Sequence, residues 1–244
     1  MQANKRQTAT PRITKVLLVD DHPLVRRGIR QLIEREAGFE VCGETDNAAE
    51  AIGMIREHKP DIAIVDITLA DTSGVELVKD IHAMFEDTKV IVASMHDESL
   101  YAERAMRAGA MAYVNKEAST DQLLAAIRRV ASGRIYVSPD TSDRLLRRVV
   151  SGNGAPQGDP VESLSDRELE VFQLIGQGLR TREIASRLCL SVKTIETYRE
   201  NIKSKLNLQH GNELIQRAVH WHISRQGGPA EPTPGADPAA APPA

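Results

Sequence analysis

The chain has 244 residues, 31 Lys/Arg against 34 Asp/Glu for a net charge of −3, and two cysteines. That length suits one domain of roughly 120 residues plus a smaller one, and no apolar run approaches the roughly 18 residues that a membrane helix needs. The N-terminus MQANKRQTATPR lacks the apolar core of a signal peptide, so a cytoplasmic protein with no membrane partner is expected.

In chain order, residues 1–12 carry no apolar pattern and are expected to form a flexible N-terminus. Then come four short, β-branched, almost uncharged runs: VLLV before Asp20, DIAIV before Asp66, VIVA before Ser94 and AYV ahead of Lys116. Such runs read as parallel strands buried on both faces. Between them lie amphipathic stretches, Pro23–Ala37, Ala48–His58, Gly74–Phe85, Ser99–Ala108 and Ser119–Ser132, each long enough for a helix. Strand and helix alternate five times, which predicts an α/β doubly wound, five-stranded parallel sheet over 13–132. Ligands of such sheets gather at the carboxyl ends of the strands, where the acidic pair Asp20–Asp21, Asp66, Ser94 and Lys116 all fall.

Those residue types share one chemistry. Magnesium takes hard oxygen ligands in near-octahedral geometry. Asp21 and Asp66 are candidate direct ligands, Asp20 is expected to hold a metal-bound water, and the carbonyl of Thr68 can turn back toward the ion. Aspartate can accept a phosphoryl group as an acyl phosphate, and Asp66 is the candidate acceptor. Charge on a transferring phosphoryl group needs compensating cations, for which Lys116 is placed. Taken singly, each residue has a bland alternative: Asp21 as a helix cap, the others as ordinary strand ends. Their conjunction in order favours the chemical reading.

The charge is uneven. Residues 12–133 carry 15 Lys/Arg against 21 Asp/Glu, a net of −6, whereas 163–225 carry 10 against 7, a net of +3. A polyanion partner is therefore expected on the second half. Residues 133–162 read as a linker containing the amphipathic piece TSDRLLRRVV and the Gly/Pro-rich SGNGAPQGDP. The tail 226–244 is rich in Pro, Ala and Gly and is expected to be disordered. Cys42 and Cys189 are far apart and in no CxxC spacing, so both are expected to be buried apolar filler.

Over 163–225, Ser165 and Glu168 form a capping-box pattern ahead of a helix carrying Leu169, Phe172 and Ile175 and ending at Gly176–Gly178. REIASRLCL and SVKTIETYRENIKSKL follow, separated by a turn near Leu190 and Ser191, which is helix-turn-helix organisation. In the second helix Val192, Ile195, Ile202 and Leu206 are expected to point inward. Lys193, Glu196 and Thr197 on the opposite face are candidate base readers, and Thr194, Tyr198, Arg199, Lys203 and Lys205 candidate phosphate contacts. For an isolated helix, a merely solvated charged face is the commoner meaning.

Residues 13–132, with VLLVDDHPLVRRGI, PDIAIVDITLADTSGVEL, VIVASMHDE and GAMAYVNKEAS, resemble the receiver domain of bacterial two-component response regulators. Residues 163–222, through SLSDRELEVFQLIGQGLRTREIASRLCLSVKTIETYRENIKSKLNL, resemble the LuxR-type four-helix DNA-binding domain, so the whole chain resembles the NarL/FixJ subfamily. The resemblance implies phosphorylation of Asp66 by a sensor histidine kinase, Ser94 as the sensing hydroxyl, Tyr113 as the switch aromatic, and magnesium as cofactor. It further implies a homodimer formed through Leu214, Ile215, Val219 and Trp221 of the last helix, an inverted-repeat operator, contact with RNA polymerase, and a regulator that is not an enzyme. Departures are Ala70 and Glu117 where relatives often have proline, Glu196 where many have lysine, and Tyr198 where many have histidine. Two other classes compete. An aspartyl-nucleophile phosphohydrolase would place its second acid two residues after the nucleophile, whereas here the acids are adjacent. A receiver-like module that acts without phosphorylation would not need the full acid, hydroxyl and lysine set.

Overall fold

The computed structural model describes residues 12–69, 72–96, 98–150 and 160–225, with backbone alone over 148–150. The Gly/Pro-rich run after residue 150, the tail from 226, Ala70 and residues 1–11 lie outside the described residues. The chain divides into two compact units between Gln157 and Gly158.

In the first unit the β-branched runs become strands because their side chains can be buried on both sheet faces. They are β1 (Thr14–Val19), β2 (Phe39–Thr45), β3 (Ile62–Val65), β4 (Lys89–Ser94) and β5 (Ala112–Asn115), all parallel and ordered β2-β1-β3-β4-β5. Val16, Leu17, Ile62, Ala63, Ile91 and Val92 are each 0% exposed. The second strand, not named as an apolar run above, is an edge strand, FEVCGET, that carries Glu40 and Glu44 and whose first six residues are half-buried.

Helices α1 (Pro23–Glu34), α2 (Ala48–His58), α3 (Gly74–Met84), α4 (Glu98–Ala108) and α5 (Thr120–Ala131) connect the strands. Pro23 opens α1, where its missing amide costs nothing. α1 stops short of the expected Ala37, and Gly38 at φ 89° turns the chain into β2. The amphipathic piece expected in the linker forms a further helix, α6 (Pro139–Val150). Tyr136 just before it pairs with the edge of β5: its amide donates to Met111 O at 2.9 Å, and its carbonyl accepts the Tyr113 amide at 3.3 Å. The amide of Ser138 donates to Glu98 Oε1 on α4 at 3.2 Å.

In the second unit a 3₁₀ turn (Pro160–Ser163) leads into α7 (Asp166–Gly176), α8 (Thr181–Arg187), α9 (Val192–Lys205) and α10 (Gly211–Arg225). The Ser165–Glu168 capping box is present, and Leu169, Phe172 and Ile175 are buried. Phe172 meets Trp221 edge-on with ring centroids 5.5 Å apart. A side chain at Gly176 would stand 2.6 Å from Ala218 O, so this glycine sets how closely α7 and α10 approach.

Two expectations fail here. Of the two cysteines expected to be buried, Cys42 on the edge strand β2 is half-buried, and Cys189 is exposed in the left-handed conformation (φ 52°) of the turn after α8. Val192 is 39% exposed because the first residue of α9 lies beyond the core that Ile195 and Ile202, both 0% exposed, fill.

Candidate functional site

Ladder hydrogen bonds carry the sheet one residue past its strands and line up the pocket. The Asp20 amide donates to Thr45 O at 3.0 Å, Asp66 to Val19 O at 2.8 Å, and Lys116 to Ser94 O at 2.9 Å. The acids therefore stand side by side on adjacent strands, and Lys116 reaches across from β5. Its ammonium, 3% exposed, donates to Asp66 Oδ2 at 2.6 Å and lies 2.7 Å from Asp20 Oδ2. Burial pushes the Asp66 carboxyl up to about 6, with Asp20 and Asp21 adding to the rise and Lys116 opposing it.

The acidic pair is held from behind. The His22 amide donates to Asp20 Oδ1 at 2.8 Å, and the guanidinium of Arg26, on α1, donates to the Asp20 carbonyl. Asp21 is not the cap of α1: the N-cap is His22, whose side chain makes no capping bond. Gly74 opens α3 against the acceptor loop, where a side chain would lie 1.8 Å from Asp66 O.

The three carboxylates fit a magnesium ion, which takes oxygen ligands. Asp20, Asp21, His22 and Asp66 each offer a ligand atom, all within 4.8 Å of one another. Among the described residues, Asp21 Oδ1 is buried without a hydrogen-bond donor, an orphan that a hard cation would satisfy. The Thr68 side chain meets His96 Nε2 at 2.8 Å, and its backbone bridges Ser73.

Ser94 and Tyr113 converge on one loop residue. Ser94, 0% exposed, accepts the His96 amide at 3.2 Å, and the Tyr113 hydroxyl donates to the His96 carbonyl at 2.9 Å. Tyr113 is fully buried. The His96 ring packs against Tyr101 of α4 at 4.8 Å between centroids.

In the second unit Lys193, Glu196 and Thr197 are exposed along α9. The Thr197 hydroxyl donates to Lys193 O at 3.1 Å. Thr194 shares a 2.8 Å hydrogen bond with the N-cap Ser191, and Tyr198 and Arg199 are half-buried. Lys203 pairs with Glu200 at 2.8 Å. Lys205 donates at 2.6 Å to Glu168, whose side chain is 5% exposed. Burial would raise the Glu168 carboxyl, but Lys205 and the Ser165 amide outweigh it and hold it below the usual carboxylate range.

Of the expected dimer residues, Leu214 (0% exposed) and Trp221 (6%) face the domain's own core, which corrects their placement at a dimer surface. Ile215 (42% exposed) faces outward with Ile223 (54%), and Val219 is half-buried. Sequence reading also passed over His22, Arg26, Gly74 and His96. Only His22, adjoining the acidic pair, carried a positional signal.

A parallel sheet with this pocket at its carboxyl edge, followed by a helix-turn-helix unit, defines a DNA-binding regulator with a receiver domain. Residues 16–128 match the model of the response regulator receiver domain, and 162–218 that of the luxR family of bacterial regulatory proteins. The oxygen regulatory protein NreC of Staphylococcus carnosus is 34% identical over 84% of this chain and 96% of its own length. The response regulator GacA of Pseudomonas aeruginosa is 35% identical over 84% and 95%. A LuxR-family two-component response regulator from Aurantimonas sp. SI85-9A1, 37% identical with a TM-score of 0.53, covers 57% of this chain and 99% of that one. RcsB from Salmonella enterica serovar Typhimurium, solved bound to promoter DNA in the presence of the phosphomimetic BeF3−, is 25% identical with a TM-score of 0.56 and covers 85% and 98%. The chain belongs to the two-component response regulators of the NarL/FixJ type, transcription regulators with a LuxR-type DNA-binding domain. Among the described residues no helix is long and apolar enough to cross a membrane.

Proposed function

We propose that a sensor histidine kinase phosphorylates Asp66 of this cytoplasmic regulator, and that the phosphorylated chain dimerises on an inverted-repeat operator and acts on RNA polymerase there. The observation that carries this reading is the buried Lys116 ammonium between Asp66 and Asp20, beside the orphan oxygen of Asp21. A carboxylate oxygen of Asp66 attacks the phosphorus of the donor phosphohistidine. The O–P bond forms as the N–P bond breaks, and the imidazole leaves with that electron pair. Magnesium supplies charge neutralisation at the phosphoryl oxygens when bound. Asp21 and Asp66 would hold it directly, with the Thr68 carbonyl, and Asp20 through a water.

Lys116 then offsets the phosphoryl charge, and the Ser94 hydroxyl turns to the new acceptor oxygens. That turn releases the His96 amide, while Tyr113 still holds the His96 carbonyl. The loop before α4 shifts, and α6 follows through Tyr136 on β5 and Ser138 on α4. On DNA, Lys193, Glu196 and Thr197 read base edges in the major groove, and Thr194, Tyr198, Arg199 and Lys203 hold phosphates. Lys205 reaches a phosphate while anchored to Glu168. Ile215, Val219 and Ile223 make the dimer contact of α10.

The test is incubation with acetyl phosphate and magnesium. Wild-type protein acquires an acid-stable, base-labile phosphoryl group and shifts toward dimer in light scattering, and Asp66→Asn does neither. Labelling of Asp66→Asn at the wild-type level would sink the assignment.

A further inference from the structure

His22 adjoins the acidic pair, yet its side chain has no evident structural duty. It is the N-cap residue of α1 without a side-chain capping bond, and its side chain is 57% exposed at the pocket mouth. Its backbone does the local work: the carbonyl accepts the Arg26 amide at 3.0 Å, and the amide holds Asp20. The ring instead turns to the carboxylates. Nδ1 lies 2.6 Å from Asp21 Oδ1, 3.4 Å from Asp20 Oδ1 and 3.7 Å from Asp66 Oδ2.

The shortest of these contacts lacks hydrogen-bond alignment, since Asp21 Oδ1 has no donor. Close but unaligned donors are what two ligands of one cation look like. Metal–ligand distances of about 2.1 Å in an octahedron put neighbouring donor atoms about 3 Å apart and opposite ones about 4 Å apart. The separations from Nδ1 fall close to that range.

We propose that His22 is a nitrogen ligand that makes the pocket a mixed oxygen–nitrogen site, so that borderline divalent cations such as cobalt, nickel and zinc bind in competition with magnesium. The chemistry follows from ligand softness. Carboxylate, carbonyl and water suit magnesium, whereas imidazole suits the later first-row ions, and affinity at a given nitrogen–oxygen site rises from manganese to copper and falls back at zinc. Magnesium, satisfied by the oxygens and water, gains little from the ring, but cobalt gains a ligand. The ring is thus a selectivity element for the cation, and the inference rests on the reading of this pocket as a divalent-cation site.

Cobalt is the probe, because its visible absorption reports ligand type independently of phosphorylation. The full chain is titrated with cobalt chloride alone, followed by calorimetry and the visible band, and then back-titrated with magnesium. The chain has seven histidines, so only the cobalt that magnesium displaces is counted. Wild-type protein binds one such equivalent. His22→Gln lowers its affinity about tenfold or more and shifts the band, while magnesium affinity moves less than twofold. His22→Asn repeats the result, and circular dichroism verifies the fold of both variants. Wild-type cobalt affinity in both folded variants would overturn the role of His22. Asp21→Asn separates the two levels: if it leaves magnesium and cobalt binding unchanged, the cation-site reading itself fails, whereas loss of both ions there with neutral His22 variants refutes the ligand role alone.

Discussion

The hydroxyl of Tyr113 donates to the carbonyl of His96 at 2.9 Å, and Ser94 accepts the amide of the same residue at 3.2 Å. One loop residue is therefore held at both ends of its backbone by the two side chains assigned to the switch. We predict that Tyr113→Phe keeps the ring's packing but loses the hydroxyl's hydrogen bond to the His96 carbonyl, destabilising the receiver by about 0.5–1.5 kcal/mol in urea unfolding. Labelling of Asp66 by acetyl phosphate should persist, and the phosphorylation-induced gain in dimer should fall. An unchanged dimer response would remove Tyr113 from the switch.

Asp66 gives a prediction with a definite sign. Its folded value is raised to about 6 from 3.8, chiefly by burial, so between those values the folded state binds more protons than the unfolded one. Metal-free stability should accordingly fall as pH rises from about 4 to about 6 and stay lowered above that. Removing the charge relieves the penalty: Asp66→Asn should stabilise the metal-free protein at pH 7, by at most about 3 kcal/mol for a shift of about two units. Magnesium should narrow the gap. Thermal melts with and without the ion test this, and a destabilised Asp66→Asn would refute it.

Where the sequence was legible, two-sided burial made it so. The strands ending at Asp20, Asp66 and Ser94 are continuous apolar runs because helices cover both faces of the sheet, and the functional residues are the first polar ones after each run. The edge strand β2 and the helix α6 carry mixed patterns, because each buries only part of its surface, and were less visible. Helical periodicity shows which residues of α10 are apolar but not what covers them: Trp221 packs on Phe172 of α7, and Leu214 is buried within its own domain. Contacts such as His22 with Asp21, or His96 with Tyr113, depend on side-chain direction and loop path, for which composition holds no signal.

Lys205 joins two roles that mutation can separate. Its ammonium pairs with Glu168, which also completes the capping box of α7. Glu168 has a lowered folded value, so its contribution to stability is present above the unfolded value near 4.5 and is lost as pH falls through the lower folded one. We predict that Lys205→Ala raises the Glu168 value, measured by NMR titration, and lowers domain stability as well as DNA affinity. Arg199→Ala should weaken DNA binding and reduce the salt slope by about one without the Glu168 effect.

The reading face of α9 should separate sequence from charge. Lys193→Ala or Thr197→Ala should cost about 1–3 kcal/mol on the preferred operator and relax selectivity at one base pair each. Glu196→Lys should tighten binding to all sequences and steepen the salt slope by about one to two, since it removes an acid and adds a base on the exposed face. Fluorescence anisotropy over a salt series, on specific and scrambled duplexes, measures both. Equal losses on the two duplexes for Lys193→Ala and Thr197→Ala would remove them as base readers.

The last helix distinguishes packing from partnership. Leu214 is fully buried, so Leu214→Ala should cost about 2–5 kcal/mol and lower the melting temperature of the DNA-binding domain. Ile223, 54% exposed, should tolerate Ile223→Asp with little loss of stability, because an exposed apolar side chain contributes little to its own domain. If Ile215 and Ile223 form the dimer contact, Ile223→Asp should weaken binding to a two-half-site operator at least tenfold while leaving single half-site affinity unchanged. Parallel loss on both DNAs would mean that the exposed face of α10 supports the fold or the DNA contact, and the dimer surface would have to be sought elsewhere.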